Sequence, residues 1–228
     1  MKIFDFELDN RKFAFLLIFS ALGLLLYQFN FSKIVGVGEN AAFTGFQFIG
    51  PIGGAMLGPV YGAVSVLAVE VSNFFILGKE LTILNFVRLF PMVLAAIYFG
   101  SKKREIAYIP LICMLLFWMH PNGAASWYYA LYWLIPLAAT FYKQNLFVRS
   151  LGTTFTAHAI GSTAFLYAFN LPAEVWIALI PVVAMERLAF ASGITISYYA
   201  INSVLSAFAS KVNLSFLNIE KKYSLIRV

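Results

Sequence analysis

Four ionisable side chains lie deep inside the long apolar stretches of the chain, at Glu70, Arg88, Glu186 and Arg187. A charge at the centre of a bilayer costs at least about 2.5–3.5 kcal/mol, so each should have a partner or line a wet cavity. A buried arginine can bind a carboxylate or a phosphate through two parallel hydrogen bonds. These residue types therefore indicate binding of a small polar molecule.

Two of these residues flank one predicted turn. Glu70 precedes and Arg88 follows the turn at residues 79–80 by similar distances, so an antiparallel helix pair places them at one depth. Asn73 lies one helical turn from Glu70, and Asn85 lies one turn from Arg88. We predict that the four side chains form one polar cluster in the outer half of the membrane. This cluster is either a structural ion pair that locks the two helices or an outward-facing pocket for a polar or zwitterionic ligand.

A second group of candidate ligand-binding residues comprises His158, Glu186 and Arg187. Glu186 and Arg187 are neighbours that point about 100° apart on a helix, so we expect no simple pair between them, and at least one must reach another helix. We expect His158 to contact Glu186, either as a packing residue or as a proton relay. Residues near the outer helix ends are expected to contribute to a pocket: Tyr27, Gln28, Asn30, Trp118, Trp127, Tyr128 and Trp133.

No set of residues has the spacing of a catalytic or metal site. Cys113 and His120 share a helix face but are separated by roughly 10 Å along it, too far for a nucleophile and its base. His120 precedes Pro121 and Asn122, which is typical of a turn. Nucleotide-binding and metalloprotease motifs are absent, and two histidines are too few for a metal site. We predict no catalytic residues, metal or cofactor. The alternatives left open are an intramembrane enzyme using Glu, His and Arg from separate helices, or a structural subunit.

The elements that must position these residues are membrane helices. Of the 228 residues, 61% are hydrophobic and 11% are charged, about half the charged fraction of a soluble domain. Apolar stretches of the length that crosses a bilayer follow one another along the whole chain. We predict an all-α transmembrane bundle that forms one domain over residues 1–228. Eight candidate spans are 13–31, 43–58, 59–78, 82–100, 106–119, 124–142, 147–169 and 174–208; six spans also satisfy the expected parity.

The basic residues set the predicted orientation. With the N-terminus inside, 12 of the 16 Lys and Arg residues are cytoplasmic, including a basic tail at 210–228 expected to lie on the membrane face. Both termini are then cytoplasmic in a multi-pass protein of the cell membrane. The predicted partners are the lipid bilayer and a small-molecule ligand, with no nucleic acid.

Glycine recurs every four residues at Gly50, Gly54, Gly58 and Gly62. Such a run permits close approach of another backbone, which favours either tight helix packing or a pliant helix pair beside a substrate path. Pro59 predicts a short turn between the second and third spans.

The stretch from Phe48 to Val66, above all the sequence Gly-Pro-Val-Tyr-Gly at residues 58–62, resembles the substrate-binding S components of energy-coupling factor transporters. The similarity extends over about the first 105 residues and includes the basic cytoplasmic ends. The resemblance implies a small membrane subunit that captures a vitamin-like compound and docks on a transmembrane coupling protein driven by two ATPase subunits. The chain differs from that family in having eight apolar segments where the family has six. Its first span also lacks the small-residue docking pattern.

Overall fold

Ten α-helices dominate the part of the chain that the computed structural model describes, residues 10–33 and 42–226. In chain order they are α1 (Asn10–Tyr27), α2 (Phe46–Leu57), α3 (Pro59–Ile76), α4 (Ile83–Val87), α5 (Phe90–Gly100), α6 (Tyr108–Met119), α7 (Pro121–Ala125), α8 (Leu134–Ala139), α9 (Leu146–Phe169) and α10 (Ala173–Ala209). Single turns of 3₁₀-helix or slightly longer segments occur at Glu105–Ala107, Trp127–Trp133, Thr140–Tyr142 and Lys221–Tyr223. The predicted all-α fold is confirmed. Two short antiparallel strands, β1 (Asn30–Lys33) and β2 (Ala42–Thr44), are added between α1 and α2.

Four helical segments of the described residues are long and apolar enough to cross a membrane: α1, α3, the α4–α5 pair and α10. Helices α2 and α6 are apolar but shorter. The sixth predicted span, 124–142, is not one helix, because it is divided among α7, α8 and two 3₁₀ segments. The eighth predicted span is a single 37-residue helix, α10, which continues through Pro181.

A proline interrupts the helix that carries Arg88. Pro91 has no N–H to donate to the carbonyl of Val87, and the regular helix stops at Val87 and resumes at Phe90. Arg88 and Leu89 form the intervening turn. The interruption places Arg88 at a junction between α4 and α5, where its side chain faces the cavity described below.

Helices α2, α3 and α5 meet at a set of glycines. A Cβ atom added to Gly54 would overlap the backbone carbonyl of Ala96 on α5. One added to Gly62 or Gly100 would overlap the backbone of Gly54. Gly58 joins α2 to α3 with a φ of 83°, which confirms the predicted turn and explains the glycine there. The repeat therefore divides between two helices that pack on each other, not along one helix.

Different helix termini lie at the two ends of the described bundle. At the tail end, α2, α5 and α10 finish and α9 begins, and residues 210–226 fold back onto them. Asn218 donates a backbone hydrogen bond to Met56, and the Tyr223 hydroxyl donates to the carbonyl of Gln144. The other end, which we call the cavity end, contains the end of α1, the α3–α4 connection and the start of α10.

The described part of the tail, residues 210–226, packs on the helices at this end. Leu217 and Tyr223 are buried in the same apolar cluster as residues of α2, α3 and α5. Burial of two large apolar side chains accounts for this docking, since each contributes about 1.5–3 kcal/mol when removed from water. Asn202 of α10 adds two hydrogen bonds to the backbone of Glu220.

Candidate functional site

A cavity of about 190 Å³ opens at the cavity end of the bundle. This volume is below the roughly 300–1,000 Å³ of pockets that hold drug-sized ligands, so it suits a small metabolite. Six of the seven residues that the sequence predicts for ligand binding line it: Glu70, Asn85, Arg88, His158, Glu186 and Arg187. The structure thus brings together two groups of residues that the sequence analysis treated separately.

Glu70 is held by a tyrosine and not by the predicted arginine. The hydroxyl of Tyr27 on α1 donates a hydrogen bond of 2.7 Å to the Glu70 carboxylate. Among the described residues, no nitrogen of Arg88 lies within 4 Å of a Glu70 oxygen, so of the two alternatives for this cluster the ion pair is not formed. Equal depth along two helices does not fix the direction of their side chains, and Tyr27 reaches Glu70 from a third helix.

Arg88 and Lys79 are two of the basic residues that line the cavity. The guanidinium carbon of Arg88 lies 5.7 Å from the centre of the Phe165 ring. Lys79, in the connection between α3 and α4, lines the same cavity. Partial burial lowers the pKa of Lys79, and the charge of Arg88 lowers it further, while Glu70 opposes the shift. The two cations are therefore close enough to repel each other.

The two predicted asparagines have different roles. Asn73 is buried one turn from Glu70, and its amide nitrogen has no hydrogen-bond partner among the described residues. It does not line the cavity. Asn85 does, but its side chain also donates to the carbonyl of Glu80. Its backbone N–H donates to the hydroxyl of Thr82, which caps the N-terminus of α4. Asn85 therefore holds the start of α4 beside the cavity.

Glu186 and Arg187 pair with each other, which corrects the expectation that sequence neighbours on a helix cannot do so. A nitrogen of Arg187 lies 3.3 Å from a Glu186 oxygen. A long side chain can bend back along the helix, so the 100° between the Cβ directions does not prevent contact. Arg187 also donates to Thr154 on α9, which confirms that it reaches another helix. Its guanidinium lies 4.8 Å from the ring centre of Phe43.

His158 is fixed by three neighbours on the cavity wall. The indole N–H of Trp133 donates to Nδ1 at 3.1 Å, and Nε2 lies 2.9 Å from the Tyr129 hydroxyl and 3.1 Å from that of Ser162. An indole only donates, so Nδ1 must be the acceptor and the proton of the neutral ring is on Nε2. Within the described residues these contacts replace the predicted one with Glu186. The arrangement favours a neutral packing residue over a proton relay, because protonation of Nδ1 would break the bond to Trp133.

Several cavity residues were not identified from the sequence. Lys79 was assigned to a turn, and Tyr129, Ser162 and Trp176 gave no signal that separates them from ordinary packing residues. Of the outer residues expected to contribute, Tyr27 lines the cavity. Gln28, Asn30, Trp118, Trp127, Tyr128 and Trp133 do not, although Trp133 orients His158.

Gly161 on α9 is a further cavity residue. A Cβ atom added there would meet nothing within 4 Å, so the wall is open at this position. His120 lies elsewhere, where its Nδ1 accepts the backbone N–H of Asn122 and caps α7, as expected of a turn residue. Cys113 is buried, and its backbone carbonyl accepts a hydrogen bond from Thr163.

Comparison with known proteins gives a distant relative. An uncharacterized protein of Methanocaldococcus jannaschii is 26% identical to the chain over 209 residues, which cover 82% of this chain and 70% of the relative. No protein-family model and no solved structure matches the chain. The functional argument therefore depends on the cavity.

Proposed function

We propose that the protein is a multi-pass protein of the cell membrane that binds a small polar molecule in this cavity, as a binding or transport subunit. The observation that carries the proposal is the convergence of six predicted site residues on one opening. Charged side chains inside membrane helices are costly and are retained where they bind a substrate or an ion. A cavity with several such groups at one end of a bundle is a natural ligand site.

The distribution of basic residues supports an opening toward the outside. Loop and tail residues at the tail end include many Lys and Arg side chains: Lys102, Lys103, Arg104, Lys143, Lys211, Lys221 and Lys222. Cytoplasmic connections of membrane proteins are enriched in such residues. The tail end is then cytoplasmic, and the cavity faces the external medium, as uptake of a solute requires.

The proposal extends to partner subunits. The sequence at residues 58–62 resembles the S components of energy-coupling factor transporters, and the chain has no nucleotide-binding motif of its own. A transmembrane coupling protein and two ATPase subunits would then supply the energy for transport. The resemblance alone supports this extension.

The cavity can be blocked at Gly161. Gly161→Phe projects a ring into the open space, and Gly161→Ala adds a single methyl group as the matched control. We expect native mass spectrometry of the protein purified from its host to detect a small bound molecule on the wild type and on Gly161→Ala. We expect the same molecule to be missing from folded Gly161→Phe. A molecule that stays bound to Gly161→Phe, or three proteins that all carry none, would contradict the proposal.

The orientation has its own test. Glu80 at the cavity end and Lys102 at the tail end are both exposed, whereas the single native cysteine, Cys113, is buried. Cysteines introduced at these two positions can be labelled on intact cells with a membrane-impermeant maleimide. We expect labelling of Glu80→Cys and protection of Lys102→Cys until the cells are opened. The reverse pattern would place the cavity on the cytoplasmic side and rule out capture of an external solute.

A further inference from the structure

At the cavity end, Lys79 and Arg88 form no ion pair with an acidic side chain in the part of the chain that the structure describes. Neither Lys79 nor Arg88 has a carboxylate oxygen within 4 Å there. Neither side chain donates a hydrogen bond to another described residue. The guanidinium carbon of Arg88 lies 5.7 Å from the centre of the Phe165 ring. Their hydrogen-bond donors remain available to a ligand.

Glu70 and Glu186, the acidic side chains among the described residues that line the cavity, both have hydrogen-bond partners in the protein. Glu70 accepts a hydrogen bond from Tyr27, and Glu186 accepts one from Arg187. The hydrogen bond from the neutral Tyr27 hydroxyl leaves the formal charge of Glu70 in place. Among the described residues that line the cavity, Lys79, Arg88 and Arg187 outnumber Glu70 and Glu186, so the formal charge left for a ligand to neutralise is positive.

The remaining wall is largely aromatic and aliphatic. Phe165 of α9 and Trp176, Leu179 and Val183 of α10 line it. The indole N–H of Trp176 is bonded to the carbonyl of Leu171, so the ring offers its apolar surface. Such a wall binds an apolar body, and a ligand with charges over its whole surface would leave groups unpaired against it.

We propose that the cavity binds an amphipathic anion. Its carboxylate or phosphate group lies against Lys79 and Arg88, and its apolar body packs on Phe165 and Trp176. The inference depends on the proposed function, because it names the ligand class of the same cavity. It identifies Lys79, a residue assigned to a turn by its sequence context, as a specificity-determining residue.

The test compares probes that differ in charge alone. Phenylacetate and phenyl phosphate carry an anion on a small aromatic body, and phenylacetamide is the neutral counterpart of phenylacetate. Binding of each is measured in lipid nanodiscs as the shift in the thermal unfolding midpoint. We expect both anions at millimolar concentration to stabilise the wild type and the amide to give no shift.

Charge-removing variants locate the effect. Arg88→Gln and Lys79→Gln should each weaken phenylacetate binding about tenfold or more, as expected when a hydrogen bond to a charged group is removed. Lys102→Gln, at the exposed tail end, should leave it unchanged. A preference of phenyl phosphate over phenylacetate, or the opposite, decides which anionic group the site accommodates.

Three results would overturn the inference. The first is equal binding of amide and carboxylate, the second is unchanged phenylacetate binding by both Lys79→Gln and Arg88→Gln, and the third is no binding of either anion. Gly161→Phe separates this failure from failure of the proposed function. If Gly161→Phe displaces the molecule that co-purifies with the wild type while the charge variants retain it, the cavity binds a ligand of another class.

Discussion

Arg149 at the tail end and Arg88 at the cavity end have different surroundings. At the tail end, Arg149 lies 3.1 Å from Glu220 and within 4.4–5.8 Å of the ring centres of Phe99, Tyr198 and Tyr223. At the cavity end, Arg88 is near one ring and has no carboxylate partner among the described residues. One arginine forms an ion pair, and the other forms none with the described residues.

Two glycines, Gly54 and Gly161, differ in a similar way. Gly54, toward the tail end, is in backbone contact with α3 and α5, whereas Gly161 faces open space. Close contact and paired charges at one end hold the helices together. The other end retains a cavity that Lys79 and Arg88 line. The comparison contrasts close helix packing at Gly54 with open space at Gly161.

The largest expected change in the free energy of unfolding comes from glycine substitutions. Gly54→Ala forces a methyl group into the backbone of Ala96, so the helices must separate, at a cost of about 1–3 kcal/mol or more. Gly161→Ala meets no atom and should change stability by less than about 0.5 kcal/mol. Thermal unfolding of both variants in the same detergent measures the difference. Equal midpoints for the two variants would contradict the contrast between a packed end and an open end.

Arginine substitutions are expected to give the next largest change in the free energy of unfolding. Arg149→Gln removes a partly buried ion pair and three ring contacts, so we expect a loss of about 1–3 kcal/mol. Arg88→Gln should cost less than about 0.5 kcal/mol in the ligand-free protein, because it breaks no ion pair with the described residues. Unfolding in the absence of added ligand checks both. A larger loss for Arg88→Gln would show that Arg88 has a structural role.

The smallest effect is a pH dependence at the tail end. Burial alone would raise the pKa of Glu220, but Arg149 and the hydrogen bonds from Tyr198 and Arg149 hold it below its ordinary value of 4.5. The folded protein therefore binds fewer protons at this site than the unfolded chain. The stability contributed by the Glu220 charge is complete above pH 4.5 and is lost as the pH falls through the folded-state pKa.

Glu220→Gln keeps the shape and removes this titration. We expect the wild type to unfold at a higher temperature than Glu220→Gln at pH 7, with the gap narrowing below pH 4.5. A gap that is constant over this range would mean that the ion pair contributes nothing. The gap should also shrink in high salt, because Glu220 is partly exposed to solvent.

The sequence predicted the helical class and most of the charged residues that line the cavity, but not the contacts among them. Ionisable residues are so rare in the apolar stretches that Glu70, Arg88, Glu186 and Arg187 could be selected by type alone. All four line the cavity. Their scarcity is informative because a charge within an apolar span is costly unless it has a partner or lines a wet cavity.

The pairing within the site could not be predicted, since it depends on helix rotation and on side-chain direction. Glu70 is hydrogen-bonded to Tyr27 and not paired with Arg88. His158 is hydrogen-bonded to Trp133 and Tyr129, where the sequence had suggested Glu186. Aromatic residues are frequent in this chain, so no pattern separates those that donate hydrogen bonds from those that face lipid. The same limit applies to the predicted spans. At 124–142, short helices and 3₁₀ segments replace the one helix that the apolar pattern predicts.

The most direct measurement is an experimental structure of the protein purified from its host and kept in lipid nanodiscs. The central claim, a ligand cavity at the end opposite the tail, predicts density for a small molecule bounded by Arg88, Lys79 and Trp176. Its anionic group should lie within hydrogen-bond distance of Arg88. A cavity that contains only ordered water or a lipid acyl chain, or one in which Arg88 is paired with a carboxylate of the protein, would contradict the account.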